Sequence, residues 1–268
     1  MARLAVMGQY YDTGSVLHRM DPRAKVATLT VTMFGALLVN TPLQLALATT
    51  GTLALITASR LGLGRVLGSI RSALMLLTVV GLLNLFFVRT GDVLLSAGPL
   101  AITSGGAVAA ALYTCRFALV CLHGAILLMT TTPLDLSDAI ESLMSPLARL
   151  GLPVSQVSMV LSLALRFVPT LSRESREILD AQAARGAAFD AGGLLQRGRA
   201  LLASVVPLIA GTMRHADALS RALDARCYEV GAPRTRARAR TFGAQELALV
   251  ALGTLWMTAL VVVGILGW

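Results

Sequence analysis

Charge is scarce in this chain. Asp, Glu, Lys and Arg make up 14 % of its 268 residues, where a soluble domain carries about a quarter. Residues 26–59, 72–88, 93–115, 117–134 and 247–268 hold none of the four. With 56 % hydrophobic residues and a mean hydropathy of +0.74, the chain lacks the polar surface to stay in water. Lysine is nearly absent: all but Lys25 of the 23 basic residues are arginine. A phosphate-binding loop needs the pattern GxxxxGK[ST], and Lys25 sits in Pro22-Arg23-Ala24-Lys25. The chain therefore has no ATP site of its own, and no other cofactor motif is present. Aromatics are 5 %, too few for the stacking platforms of a nucleic-acid binder. The three cysteines (Cys115, Cys121, Cys227) and three histidines (His18, His123, His215) form neither CxxC nor HExxH, so no metal site is expected. Residues 1–14 lack an apolar core, so a cleavable signal peptide is not expected.

What is present is a series of apolar runs. A bilayer core takes about 20 apolar residues per helix, and a charge at its centre costs roughly 2.5–3.5 kcal/mol on insertion scales. The runs predict an all-α polytopic membrane protein of about five transmembrane helices, at 22–38, 43–58, 72–88, 105–129 and 244–266, plus long cytoplasmic helices. Asp21 and Pro22 suit the start of the first span, and Asn40-Thr41-Pro42 a turn after it. Trp268 is an interfacial anchor type.

Orientation follows from the basic residues. The stretch to Lys25, residues 60–71 and residues 133–242 are rich in them; the loop at Asn40 has none and that at Arg89 one. The N-terminus is then cytoplasmic. Three regions result: a transmembrane part at 1–132, a cytoplasmic part at 133–242 and a last transmembrane helix at 243–268. Residues 154–165 and 201–213 are apolar but too short to cross a bilayer alone, and are expected at its inner edge.

The long segment reads as helices. One is expected from an N-cap at Ser137 to Leu150. A second runs from Val154 to Arg185 with Gly186 after it, and a third from Gly193 to Arg226, with Pro169 and Pro207 kinking or splitting them. Arg173/Glu177, Arg176/Asp180 and Asp217/Arg221 are i,i+4 pairs on solvated faces. The two helix ends echo each other: Ala184-Arg185-Gly186 and Ala225-Arg226-Cys227 each put an arginine between an alanine and a small residue. An arginine in a last turn complements the helix dipole. A guanidinium on a slim tip also suits insertion into a groove, where its fork grips a carboxylate. Residues 170–185 make ~24 Å of helix and residues 208–226 ~28 Å, enough to reach two separate partner surfaces.

The chain resembles the transmembrane T component of energy-coupling-factor transporters, ABC-class importers of vitamins and transition metals. Gly8-Gln9-Tyr10 with Ser15 through Lys25 looks like that family's N-terminus. Thr131-Thr132-Pro133 and Leu161 through Thr170 look like its central region. The two tips match its two Ala-Arg-Gly motifs. The resemblance implies a non-catalytic scaffold. Two cytoplasmic ABC-type ATPases, which bind the ATP and Mg, would each receive one tip, so that Ala184, Arg185, Gly186 and Ala225, Arg226, Cys227 are the ATPase-docking residues. A separate substrate-binding membrane subunit, the S component, would receive the motion. Cys227 stands where the motif has glycine; a cysteine disfavours positive φ, which bears on the local turn and leaves the arginine's role intact.

Rival readings have less to stand on. An autonomous carrier or channel would draw on Arg116 and His123, seven residues apart within one span, but no acidic partner lies in any span. A membrane enzyme could hold a divalent cation on Asp135, Asp138 and Glu141, yet acidic residues near a helix N-terminus are explained by the dipole, and no nucleophile–base pair accompanies them. A conventional ABC permease loop fits poorly, because Gly186 follows Ala183-Ala184 at the wrong interval.

Overall fold

The computed structural model describes residues 10–97, 100–151, 153–187, 193–229 and 243–266. Gly8, Gln9, the four arginines at 234–240 and Trp268 lie outside them. The described chain is helical apart from one antiparallel hairpin, and it divides into two units, residues 8–143 with 238–268 and residues 144–237.

The larger unit opens with a single turn, α1 (Val16–Arg19), and α2 (Pro22–Leu37). Asp21 caps α2 by accepting from Arg23 N at 2.9 Å, and Pro22 fills the first helical position. α3 (Pro42–Ser59) starts with a capping box between Thr41 and Gln44, which satisfies two of the donors a helix start leaves free. α4 (Leu63–Ser69) and α5 (Arg71–Phe87) meet at a 70° bend. The hairpin β1 (Val93–Ala97) and β2 (Leu100–Thr103) leads into α6 (Ser104–Thr130), capped by Thr103. α7 (Pro133–Met144) follows, and α10 (Ala244–Ile265) completes the unit.

Its core gathers α2, α3, α6 and α10. Small residues let the helices close up: an ideal Cβ on Gly51 would lie 2.3 Å from Trp256 Nε1, and one on Gly253 would lie 2.5 Å from Thr28 Cγ2. Gln44, 2 % exposed, donates from Nε2 to Leu260 O at 2.8 Å and so ties α3 to α10. Lys25, also 2 % exposed, donates to Thr130 O at 3.1 Å, at the last residue of α6. That carbonyl sits at the negative end of the helix dipole, a site suited to a buried cation. Arg116 donates to Asn40 Oδ1 at 2.7 Å and to Val39 O, and its guanidinium lies over Tyr113. It is therefore held by the turn between α2 and α3.

The smaller unit contains a 3₁₀ turn (Ser145–Leu150) and two helices of 31 residues each, α8 (Val154–Ala184) and α9 (Leu194–Asp224).

By length and composition α3, α6, α8 and α10 are each able to cross a membrane, and the bent pair α4–α5 makes a fifth where it is counted as one broken span. This set differs from the expected spans in two members. α2 has only 16 residues, about 24 Å. α8 joins the set because Pro169 does not split it: residues 154–171 continue into the charged half as one helix. Pro207 likewise lies inside an unbroken α9. The helix expected to start at Ser137 begins a turn earlier, at Pro133. Thr132 Oγ1 accepts from Asp135 N at 3.1 Å, so threonine rather than Ser137 is the cap, and the buried Ser137 Oγ has no hydrogen-bond partner among the described residues.

Candidate functional site: two arginine-bearing helix tips

α8 and α9 run antiparallel. Gln182 donates to Ala203 O at 3.3 Å, Glu174 meets His215, and the Tyr228 hydroxyl meets the Met159 sulfur. The end of α8 thus lies beside the start of α9, and the end of α9 beside the start of α8. Met159 and Arg185 are then about 39 Å apart along the axis, and the two arginine tips stand at opposite ends of the pair.

Both tips are closed by the same turn. After Ala184, Gly186 N donates to Ala183 O at 2.9 Å and Ala187 N to Gln182 O at 3.0 Å. After Ala225, Cys227 N donates to Asp224 O at 2.9 Å and Tyr228 N to Leu223 O at 3.0 Å. This is the Schellman arrangement, which satisfies the last carbonyls of a helix through a left-handed residue. Gly186 holds φ +85 and Cys227 φ +51. The cysteine thus adopts the conformation its side chain disfavours, and the turn does not differ between the tips. Arg185 and Arg226 each occupy the position just before the left-handed residue. Both are exposed, and among the described residues neither guanidinium makes an ion pair or a hydrogen bond. Two planar five-donor groups are therefore presented on closed, slim turns, ready for an acceptor on another molecule.

A family model described as CbiQ, cobalt transport protein, matches residues 13–236, which include both tips. The chain belongs to the CbiQ family. Among similar proteins, the energy-coupling factor transporter transmembrane protein EcfT of Ruminiclostridium cellulolyticum is 34 % identical over 258 residues, 96 % of each chain. Its counterpart in Streptococcus thermophilus is 36 % identical over 252 residues, 92 % of this chain and 96 % of the relative. A putative ABC transporter ATP-binding protein of Bifidobacterium longum is 51 % identical over 247 residues. The match covers 92 % of this chain but 32 % of that protein, so the chain spans about a third of that relative's length. Membership in the CbiQ family puts the chain among the multi-pass transmembrane components of energy-coupling-factor transporters.

The structure also places other residues that the sequence of this CbiQ-family chain singles out. The three i,i+4 pairs Arg173/Glu177, Arg176/Asp180 and Asp217/Arg221 do not close to salt-bridge distance; on a solvated face the ordering entropy offsets the attraction. Asp135 is engaged by the Thr132 hydroxyl at 2.8 Å, and among the described residues no three His, Cys, Asp or Glu side chains converge as metal ligands.

Two features of the helix pair go beyond the apolar character of residues 154–165 and 201–213 that the sequence shows. One is an exposed apolar stripe on α9, with Leu202, Val206 and Met213 each more than 60 % exposed, matched on α8 by Val157 and Val160. The other is a repeat at an offset of 41 residues, visible once the tips are aligned. Arg173, Glu174, Arg176 and Asp180 recur as Arg214, His215, Asp217 and Arg221. Charge returns at each position, with its sign reversed in the last three when the histidine is protonated. The motif echo was legible in the sequence, but its extension required sliding one helix along the other without gaps.

Proposed function

We propose that the chain is the transmembrane coupling subunit of an energy-coupling-factor importer, with one ABC-type ATPase docked on each arginine tip. Arg185, flanked by Ala184 and Gly186, and Arg226, flanked by Ala225 and Cys227, enter grooves on the two ATPases. ATP and Mg bind in those partners, and this chain takes no part in the hydrolysis. Residues 133–242 lie in the cytoplasm with the N-terminus, between membrane regions 1–132 and 243–268. The exposed apolar stripe of α8 and α9 is the seat for a substrate-binding S component, which determines whether a vitamin or a transition metal is carried.

The observation that carries this reading is the pair of matching closed turns, each offering an unengaged arginine at an opposite end of an antiparallel helix pair. A two-ended rod with one recognition group per end fits two partner subunits. The Bifidobacterium longum relative adds support. It is named as an ATP-binding protein, while the third of it that this chain matches corresponds to a sequence without a phosphate-binding loop. Closure of the ATPase pair moves the tips, and that motion does work only if the tips bind the open and closed states with different free energies.

The test is affinity purification in mild detergent, comparing the natural sequence with Arg185→Glu/Arg226→Glu. Recovery of P-loop ATPases with the former, and their loss from a folded double variant, is the expected result. A chain that purifies alone and carries flux in liposomes without any ATPase would be an autonomous carrier or channel, and the proposal would fall.

A further inference from the structure

The apolar contact between α8 and α9 is thin. It is an open groove of about 300 Å³ lined by residues that include Leu163, Phe167, Leu171, Ala216 and Leu219. Among the described residues of α8 and α9, only Ser158, Ala200, Ser204 and Gly211 are buried. Two amphipathic helices joined in this way can slide by a turn at little packing cost, because register is strongly specified only where side chains interlock. Something else must choose the register that sets the tips at opposite ends.

The midpoint of the pair supplies it. His215 Nε2 lies 3.2 Å from Glu174 Oε2, a hydrogen bond from the neutral ring and an ion pair from the protonated one. The carboxylate rests on Gly211, one turn before His215; an ideal Cβ there would lie 2.2 Å from Glu174 Oε1. Glu174 precedes Arg185 by eleven residues, and His215 precedes Arg226 by eleven. Each tip is therefore about 16 Å from the same contact. Glu174 and His215 are also counterparts in the 41-residue repeat, so they meet on the local two-fold axis of the helix pair. At such an axis a residue faces its own equivalent, and a strict repeat would oppose two like groups. The change from carboxylate to imidazole turns that position into a complementary pair.

We propose that Glu174 and His215, seated by Gly211, are positioning residues that pin the register of α8 against α9 and hold the two arginine tips equidistant from the crossing. A slip of one turn moves one tip about 5.4 Å relative to the other helix. The consequence for docking rests on the ATPase reading above; the register itself does not.

The experiment is cross-linking on the full chain in membranes, without ATPases, in a Cys115→Ala/Cys121→Ala/Cys227→Gly background. Gln182→Cys with Ala203→Cys reports the register of the structure. Ile178→Cys with Ala203→Cys, and Gln182→Cys with Val206→Cys, report slips of about one turn either way. Glu174→Arg is expected to lower the first cross-link about three- to fivefold, in keeping with a partly exposed pair, and to raise one of the others. Exchange of the two groups, Glu174→His with His215→Glu, is expected to restore the original pattern. An unchanged cross-link in Glu174→Arg overturns the proposal. So does failure of the exchanged pair to restore it, including the case where Glu174→Arg abolishes all three cross-links. ATPase recovery, read separately, reports on the docking proposal alone.

Discussion

At Cys227 the chain holds an L side chain in the left-handed region, where glycine is the ordinary occupant. The hydrogen bonds of the turn compensate for it, because Tyr228 N and Cys227 N both find carbonyls of the preceding turn. Cys227→Gly should therefore stabilise the α9 tip by about 0.5–1 kcal/mol, and Gly186→Ala should destabilise the α8 tip by about 1 kcal/mol. Proteolysis rates at each tip would register both changes with opposite sign. Lys25 poses the reverse case, a charge buried because a helix end receives it. Lys25→Met removes the donor to Thr130 O, and the expected cost is about 1–3 kcal/mol, read as a lower melting temperature of the detergent-solubilised chain. The presence of a lysine at position 25 was plain in the sequence. Its partner was not, since 105 residues separate it from Thr130.

Helix by helix, what the sequence disclosed depended on whether the signal was local. Asp21-Pro22 marked a helix start through the side-chain acceptor and the fixed φ of proline, and α2 begins there; Asn40-Thr41-Pro42 read as a turn, and its Thr41 also caps α3. Thr132 carries the same chemistry, yet Ser137 with its neighbouring acids offered a competing cap, and local propensity does not rank the two. The persistence of α8 and α9 through Pro169 and Pro207 was likewise not legible, because the cost of a proline depends on what the adjacent helix supplies. Close packing of α10 on α3 is another tertiary fact, carried by Gly51 beneath Trp256. An added methyl there meets a rigid indole rather than a flexible chain end. Gly51→Ala should destabilise the larger unit by about 1–3 kcal/mol, and Gly51→Ala/Trp256→Leu should recover part of it. If a thermal shift assay finds the single variant unaffected, the close approach of α3 and α10 is not a stability determinant.

For the molecule as a whole, composition alone forecast a helical membrane protein, and the family match agrees with it. The number of spans was harder, because an apolar half-helix such as residues 154–171 satisfies both a membrane and a partner protein, and both environments select the same side chains. The proposed S-component seat makes that ambiguity testable. Val206→Glu/Met213→Glu places charge on the exposed stripe of α9, between the levels of the two arginines. It should strip the substrate-binding subunit from the purified complex while both ATPases remain, and the tip variant Arg185→Glu/Arg226→Glu should do the reverse. Loss of all partners in both variants would mean that the stripe and the tips do not act separately.

The closed turns at the two tips also bear on how a partner is met. Their backbone groups are satisfied before anything binds, so capture of an arginine orders no new segment. Association should then proceed at the ordinary rate of rigid docking, on the order of 10⁵–10⁷ M⁻¹s⁻¹. The heat-capacity change should be small, and circular dichroism should show no gain of helix, both unlike a segment that folds as it binds. Titration calorimetry against an isolated ATPase would reveal a plug rather than a clasp.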